Sequence, residues 1–321
     1  MIKKPLGQEK LISFFQKAID SASLCHAYII EGDSGSGKKT IARYFAAMTV
    51  CSNGNACGEC ASCKQAESDV NPDITVISAE DKASIGVDKI RQLISTVNYK
   101  SVHGGYRVFI IEDAHLMTNQ AQNALLKVIE EPPGNVLFLL LCGQKSQLLK
   151  TIISRTQSLK LSPLLAEHLA EIAPGCSSFE ISYCNGNPGK LIKICADEEF
   201  KKFRDDTADA VLSLFTKGVE GLNHTAQFFE LNKERKEDLF TITLYILRDV
   251  MCLKTAPNVP IINSDKMGVL KEISGVLTAK ACMNATEVVL EAERGMGKYG
   301  NFNLAVTNML IRCQNTIKKD A

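Results

Sequence analysis

The chain has 321 residues, 45% of them hydrophobic and 23% charged, enough apolar material for two or three packed domains and not the composition of a disordered protein. A formal net charge of +1 excludes a chain held on nucleic acid by bulk electrostatics, so any DNA contact has to come from a local patch or from neighbours in an assembly. No apolar run reaches the length of a signal peptide or the ~18 residues of a membrane span, so a cytoplasmic location and no membrane partner are expected. In that compartment the 12 cysteines read as thiols, core residues or metal ligands rather than disulfides.

In chain order, Ala27–Glu31 reads as a strand, and a glycine-rich turn and a helix over Lys38–Val50 follow it. A cysteine cluster comes next, then a strand over Asp73–Ser78 and a helix over Val87–Val97 with its apolar residues on one face. Arg107–Ile111 is a third strand, and Gln120–Glu131 a helix stopped by Pro132 and Pro133. Val136–Leu141 is apolar throughout, as a central parallel strand tends to be, and Thr156–Leu161 is a fifth strand. This alternation predicts a five-stranded parallel α/β sheet over residues 1–162. Residues 163–200 read as a small helical unit with a turn at Gly186-Asn187-Pro188-Gly189, and 201–321 as helical throughout, with loops at Asn258–Pro260 and Gly295–Asn303. Phe228, Phe229 and the Phe302–Ile311 helix are apolar enough for a subunit interface or for ordinary core packing.

Gly32-Asp33-Ser34-Gly35-Ser36-Gly37-Lys38-Lys39-Thr40 sits between a strand and a helix, the setting of a phosphate-binding P-loop. Gly32, Gly35 and Gly37 let backbone N–H groups converge on an anion at a helix N-terminus, and Lys38 stands where a phosphate-contacting lysine belongs. The hydroxyl that would bind Mg²⁺ is missing: Lys39 occupies its position, and Thr40 lies one residue late, about 100° around the helix. The third strand ends in Glu112 and Asp113, the reverse of the usual Asp-Glu order for holding Mg²⁺ and orienting the attacking water. Two departures at one centre point to weak or absent hydrolysis, and they leave open whether ATP and Mg²⁺ bind.

Cys51, Cys57, Cys60 and Cys63 place four thiolates within thirteen residues. That set suits tetrahedral Zn²⁺ at a closed structural site, with an iron–sulfur cluster as the chemical alternative.

The segment Asn123-Ala124-Leu125-Leu126-Lys127-Val128-Ile129-Glu130-Glu131-Pro132-Pro133 resembles a signature of bacterial DNA polymerase III clamp-loader subunits, an AAA+ family. Gly7-Gln8, His26-Ala27-Tyr28, Asn71-Pro72-Asp73, Asp88-Lys89-Ile90-Arg91, Ser154-Arg155-Thr156 and Gly186-Asn187-Pro188-Gly189-Lys190 fall in the order that family shows. The resemblance implies a P-loop AAA+ domain with a zinc module inserted at 51–63, a helical lid at 163–200, and an all-α collar at 201–321 that oligomerises. It implies partners in a hetero-oligomeric ring (gamma/tau and delta subunits), and through the ring the sliding clamp and primer–template DNA. It also implies that Arg155, next to Ser154, is an arginine finger acting in trans on a motor subunit's ATP site.

Lys190 stands where motor subunits carry a nucleotide-sensing arginine, and Cys142-Gly143-Gln144 where they carry a polar sensor. Lys39, the Glu112-Asp113 order and the chain length favour the delta-prime branch. An active ATPase of the gamma/tau type is the alternative, kept alive by Lys38 and the three loop glycines.

Overall fold

The computed structural model describes residues 3–79, 82–295 and 302–319. They form two compact units: residues 1–172 with 185–190, and residues 173–184 with 191–321.

The first unit is built on α1 (Glu9–Asp20), β1 (Ala27–Glu31), α2 (Lys38–Val50), α3 (Ala61–Glu67), β2 (Ile74–Ile77), α4 (Val87–Val97), β3 (Arg107–Ile111), α5 (Asn119–Glu130), β4 (Val136–Cys142), α6 (Lys150–Ile153), β5 (Gln157–Lys160) and α7 (Ala166–Ile172). The five strands are all parallel, in the order β2-β3-β4-β1-β5. Inner strands buried on both faces need no polar alternation, and β4 is buried at all seven positions. Along β1, Tyr28 and Ile30 face one core with Phe15, Ile41 and Phe45, while Ala27 and Ile29 face the other with Ile90, Phe109 and Phe138. Phe15 stacks on Phe45 at 4.1 Å between ring centroids, which fixes α1 against α2.

Helix α5 starts where the Thr118 hydroxyl accepts the Ala121 N–H, and ends before Pro132. Gln8, just before α1, is tied to the segment after β5: its amide donates to the Ser162 carbonyl at 2.8 Å and accepts the Ser162 N–H at 3.3 Å.

The second unit holds α8 (Ser178–Tyr183), α9 (Pro188–Cys195), which begins within the 185–190 turn, and then α10 (Glu198–Thr216), α11 (Gly218–Leu231), α12 (Lys236–Thr255), α13 (Met267–Val276), α14 (Ala279–Gly295) and α15 (Phe302–Lys319). Its core includes Phe203, Val211, Leu214, Leu247, Leu270, Val289 and Leu310. Arg204, buried among them, lies 3.9 Å over the Phe179 ring and pairs with Asp265 at 2.7 Å and Asn263 at 2.9 Å, so its charge is matched inside the unit. Residues 163–200, expected as one small unit, are shared: 163–172 and 185–190 belong with the sheet, 173–184 and 191–200 with the helices.

Three readings change or narrow. Cys176 and Cys195 form a disulfide, against the expectation of thiols throughout; their Cα atoms are 6.3 Å apart, within bridging reach, because the chain turns back between α8 and α9. Of the two uses open to Phe228 and Phe229, Phe229 takes core packing, being fully buried, while Phe228 is half-buried and packs against Phe203. Of the loop expected over Gly295–Asn303, residues 296–301 lie outside the described residues, Gly295 closes α14 and Phe302 opens α15. Among the described residues no helix is long and apolar enough to cross a membrane.

Candidate functional site

The phosphate loop leaves the C-terminal end of β1 and reaches α2 through Gly37, whose φ of +93° gives the left-handed step that opens the helix. Lys38 is buried and curls back on its own loop, donating to the carbonyls of Gly32 at 2.7 Å and Asp33 at 2.8 Å. Burial lowers its ammonium pKa, and the Asp113 carboxylate opposes that shift.

The crown of the loop is covered by the 185–190 turn. The Asn187 amide donates to the Ser34 carbonyl at 2.8 Å, and the Gly189 N–H donates to the Gly35 carbonyl at 2.9 Å. The approach is close enough that a Cβ on Gly189 would meet the Gly35 backbone at 2.6 Å. Glycine is therefore required at the contact itself. Lys190 is exposed and its N–H caps on Asn187 Oδ1 at 2.9 Å. A cleft of about 530 Å³ runs beside the loop, lined by Gly32, Asp33, Ser36, Gln144, Lys145 and Asn187 among others.

Lys39, which opens α2 after β1, and Glu112, which follows β3, meet across the end of the intervening β4: Lys39 Nζ lies 2.7 Å from Glu112 Oε2. Glu112 is nearly buried, and its N–H donates to the Ile77 carbonyl at 2.7 Å, which fixes it at the β3 terminus. A Mg²⁺ ion needs oxygen ligands at about 2.1 Å. Here the loop offers an ammonium in place of a hydroxyl, and that ammonium already holds the acid. The residues do not fit a divalent cation. Asp113, the second acid, has a left-handed backbone with φ +48°. Thr40 is exposed on α2. Cys142, the last residue of β4, is fully buried, and burial pushes its thiol up to about 11, so its sulfur is neutral.

Arg155 follows α6, with Ser154 ending that helix. Its Nε is ion-paired with Glu130 Oε1 at 2.8 Å, and its Nη1 donates to the Thr151 carbonyl at 3.0 Å and to the Ser154 hydroxyl at 3.3 Å. The register pairs Gln157 with Tyr28 in parallel, so Arg155 lies at the N-terminal edge of the sheet and the phosphate loop at the C-terminal edge. Six residues of strand rise separate the two levels, on the order of 20 Å. Arg155 and the chain's own loop are not brought together.

The four clustered thiols are brought together: the sulfurs of Cys51, Cys57, Cys60 and Cys63 lie within 4.8 Å of one another. Tetrahedral Zn–S bonds of about 2.3 Å require sulfur spacings near 3.8 Å, so a small contraction would hold the ion. Backbone N–H groups point at the sulfurs, Asn53 and Cys57 at Cys51 (3.4 and 3.5 Å), and Cys63 at Cys60 (3.4 Å). Burial opposes ionisation of Cys60, but N–H donors from Ser52 and Cys63 and the neighbouring thiols bring it down to about 6. Burial and the adjacent sulfurs push Cys63 the other way.

One further cluster was singled out in sequence only as a motif. Asp73 is 1% exposed and accepts from the Ser101 hydroxyl (2.9 Å), the N–H groups of Val102 (2.9 Å) and His103 (3.1 Å), and contacts His103 Nδ1 at 2.9 Å. It pins the loop between α4 and β3. Glu130 was also missed as a partner of Arg155; its place in the EEPP segment was read only as a family mark.

A family profile described as DNA polymerase III, delta subunit, matches residues 7–165. The chain is 27% identical over 322 residues to the DNA polymerase III subunit delta' of Bacillus subtilis, covering 96% of each. It is 37% identical over 174 residues to the tau/gamma subunit of Haemophilus influenzae, covering 52% of this chain, and spans about a quarter of that relative's length (25%). Among solved structures, a gamma subunit-related protein of Thermotoga maritima aligns over 96% of the chain at 17% identity with a TM-score of 0.41. On the sequence matches, the chain belongs to the family of DNA polymerase III subunits that includes delta-prime and gamma/tau.

Proposed function

We propose that this chain is a delta-prime-type subunit of a bacterial clamp loader, an AAA+ module of the cytoplasm. It works in a hetero-oligomeric ring with gamma/tau and delta subunits, helps load the sliding clamp on primed DNA, and hydrolyses little or no ATP itself. The observation that carries the reading is the 2.7 Å contact between Lys39 and Glu112. It puts a permanent cation on the carboxylate that an active P-loop enzyme directs at its metal, and a second positive ion there is repelled.

Arg155 supports the other half of the reading. At the edge of the sheet away from its own phosphate loop, it is suited to a neighbour's nucleotide. A planar, always-charged guanidinium stabilises charge on transferring phosphoryl oxygens, and such fingers are worth about 10³–10⁵ in rate. Ser154 supports the arginine from the end of α6. The four-cysteine loop is read as a structural zinc module, the 163–200 segment, shared between the two units, as the lid, and 201–321 as the collar.

The test is ATP turnover by the purified chain alone, and by a complex of motor subunits reconstituted with this chain, either native or Arg155→Ala. The expected result is no turnover alone and a fall of at least about a hundredfold in the complex on substitution. Robust turnover by the isolated chain, abolished by Lys38→Ala, would establish a gamma/tau-type motor instead.

A further inference from the structure

Resting on the reading of Arg155 as a finger in trans, we infer that Glu130 is its positioning residue: the carboxylate at the end of α5 holds the guanidinium so that one edge faces outward for a neighbour's phosphate.

An arginine on a surface turn is a poor catalytic group unless something holds it. Its side chain has four torsions to order, worth up to about 2 kcal/mol of rotamer entropy. Misplacement by 1 Å in such a centre costs on the order of 10² in rate. Arg155 comes after a helix of four residues, and both Arg155 and Ser154 are exposed, so burial does not fix it. What fixes it is one ion pair and two hydrogen bonds: Glu130 Oε1 lies 2.8 Å from Nε, and Nη1 donates to the Thr151 carbonyl at 3.0 Å and to Ser154 Oγ at 3.3 Å. All three lie on Nε and Nη1. Among the described residues no hydrogen bond goes to Nη2, so that end of the fork is left to bind oxygen.

Glu130 is itself well placed for the task. It is the last residue of α5, and Pro132 and Pro133 beyond it stop the helix there, so its position follows from a rigid element. Helix α5 is tied in turn to the segment leading to Arg155: the Gln122 amide oxygen accepts the Leu149 N–H at 2.9 Å, just before α6. The carboxylate and the guanidinium therefore ride on one support. The pair is 44% and 40% exposed, so it is weak as a stability device and does not bind the arginine too tightly to be used. The contribution is directional.

The experiment is steady-state ATPase of the reconstituted complex with Glu130→Ala, Glu130→Gln and Arg155→Ala, singly and as the Glu130→Ala/Arg155→Ala pair, with assembly checked by gel filtration. Glu130→Ala is expected to lower kcat about tenfold with KM for ATP unchanged. Glu130→Gln, which keeps the side-chain length without the charge that forms the ion pair, is expected to fall between native and Glu130→Ala. The double substitution is expected to match Arg155→Ala alone. If Arg155→Ala has its full effect while Glu130→Ala runs at the native rate, or faster, the assignment of Glu130 is overturned and the finger stands. If Arg155→Ala itself has no effect, the finger reading falls and Glu130 falls with it.

Discussion

At the scale of single residues, the centre beside β1 and β3 works by replacement. Lys39 removes the hydroxyl that would have bound a metal and supplies a charge that satisfies Glu112 directly. Removing that ammonium is expected to reopen the place. In Lys39→Thr, affinity for a fluorescent ATP analogue should become at least about tenfold tighter with Mg²⁺ than with a chelator, while the native chain should show the same affinity in both. Metal-dependent binding by the native chain would refute this account of the pair.

Asp73 makes a second residue-scale case. Burial pushes its carboxyl up, but the donors of Val102, His103 and Ser101 outweigh that and hold it below its ordinary 3.8. A lowered folded value means that the ionised form stabilises the fold above the unfolded value and that this contribution is lost as pH falls through the folded one. Asp73→Ala should cost about 3 kcal/mol in urea unfolding at pH 7, by stranding the buried donors. The gap between native and variant should narrow below pH 3.8. A gap that does not change down to pH 2.5 would show that the loss comes from packing and not from the carboxylate.

At the scale of elements, α3 is the fragile piece. Seven residues are too few for a helix to stand alone in water. It is anchored by Cys60 at its N-cap, where the sulfur accepts the Cys63 N–H, and by the Asn71 amide donating to the carbonyl and hydroxyl of Ser62 at 2.8 and 3.0 Å. A metal on the four sulfurs would close the loop from Cys51 to Cys63 around one point. The purified chain is therefore expected to carry one equivalent of zinc, lost in Cys60→Ser. Hydrogen exchange should then rise over residues 51–67 while β1 and β4 keep their protection. Absence of zinc together with visible iron–sulfur absorption would replace the metal assigned.

These elements also show what the sequence could tell. The strands and helices from Ala27 to Cys142 other than α3 were legible to within a residue or two, because apolar runs there are punctuated by glycine and proline. Helix α3 was hidden inside a loop whose cysteines drew the reading toward chemistry, and α1 passed unread beside the motifs. The cysteine set was legible because its members are close in sequence. Lys39 with Glu112, and Arg155 with Glu130, were named as departures or marks but not as partners. Only the strand order, which brings distant segments to the same edge of the sheet, makes them neighbours.

At the scale of the whole chain, the two units do not divide at one point. The sequence passes from the sheet unit to the helical one after residue 172, returns at 185, and leaves again after 190. No single linker was visible in the sequence because there is none: Pro163 marks the end of the sheet strands, not the end of the unit they belong to. The disulfide between Cys176 and Cys195 brackets the returning segment from the helical side.

That returning turn has a consequence for the order in which the molecule can be completed. Chains emerge from the ribosome N-terminus first and tend to fold as they emerge. The carbonyls of Ser34 and Gly35 receive their protein donors from Asn187 and Gly189, the first of these contacts spanning 153 residues. All five strands are therefore synthesised before the phosphate loop acquires its cover, and the first helix of the second unit is already made when the cover arrives. Until then those carbonyls face water or whatever else the nascent chain meets.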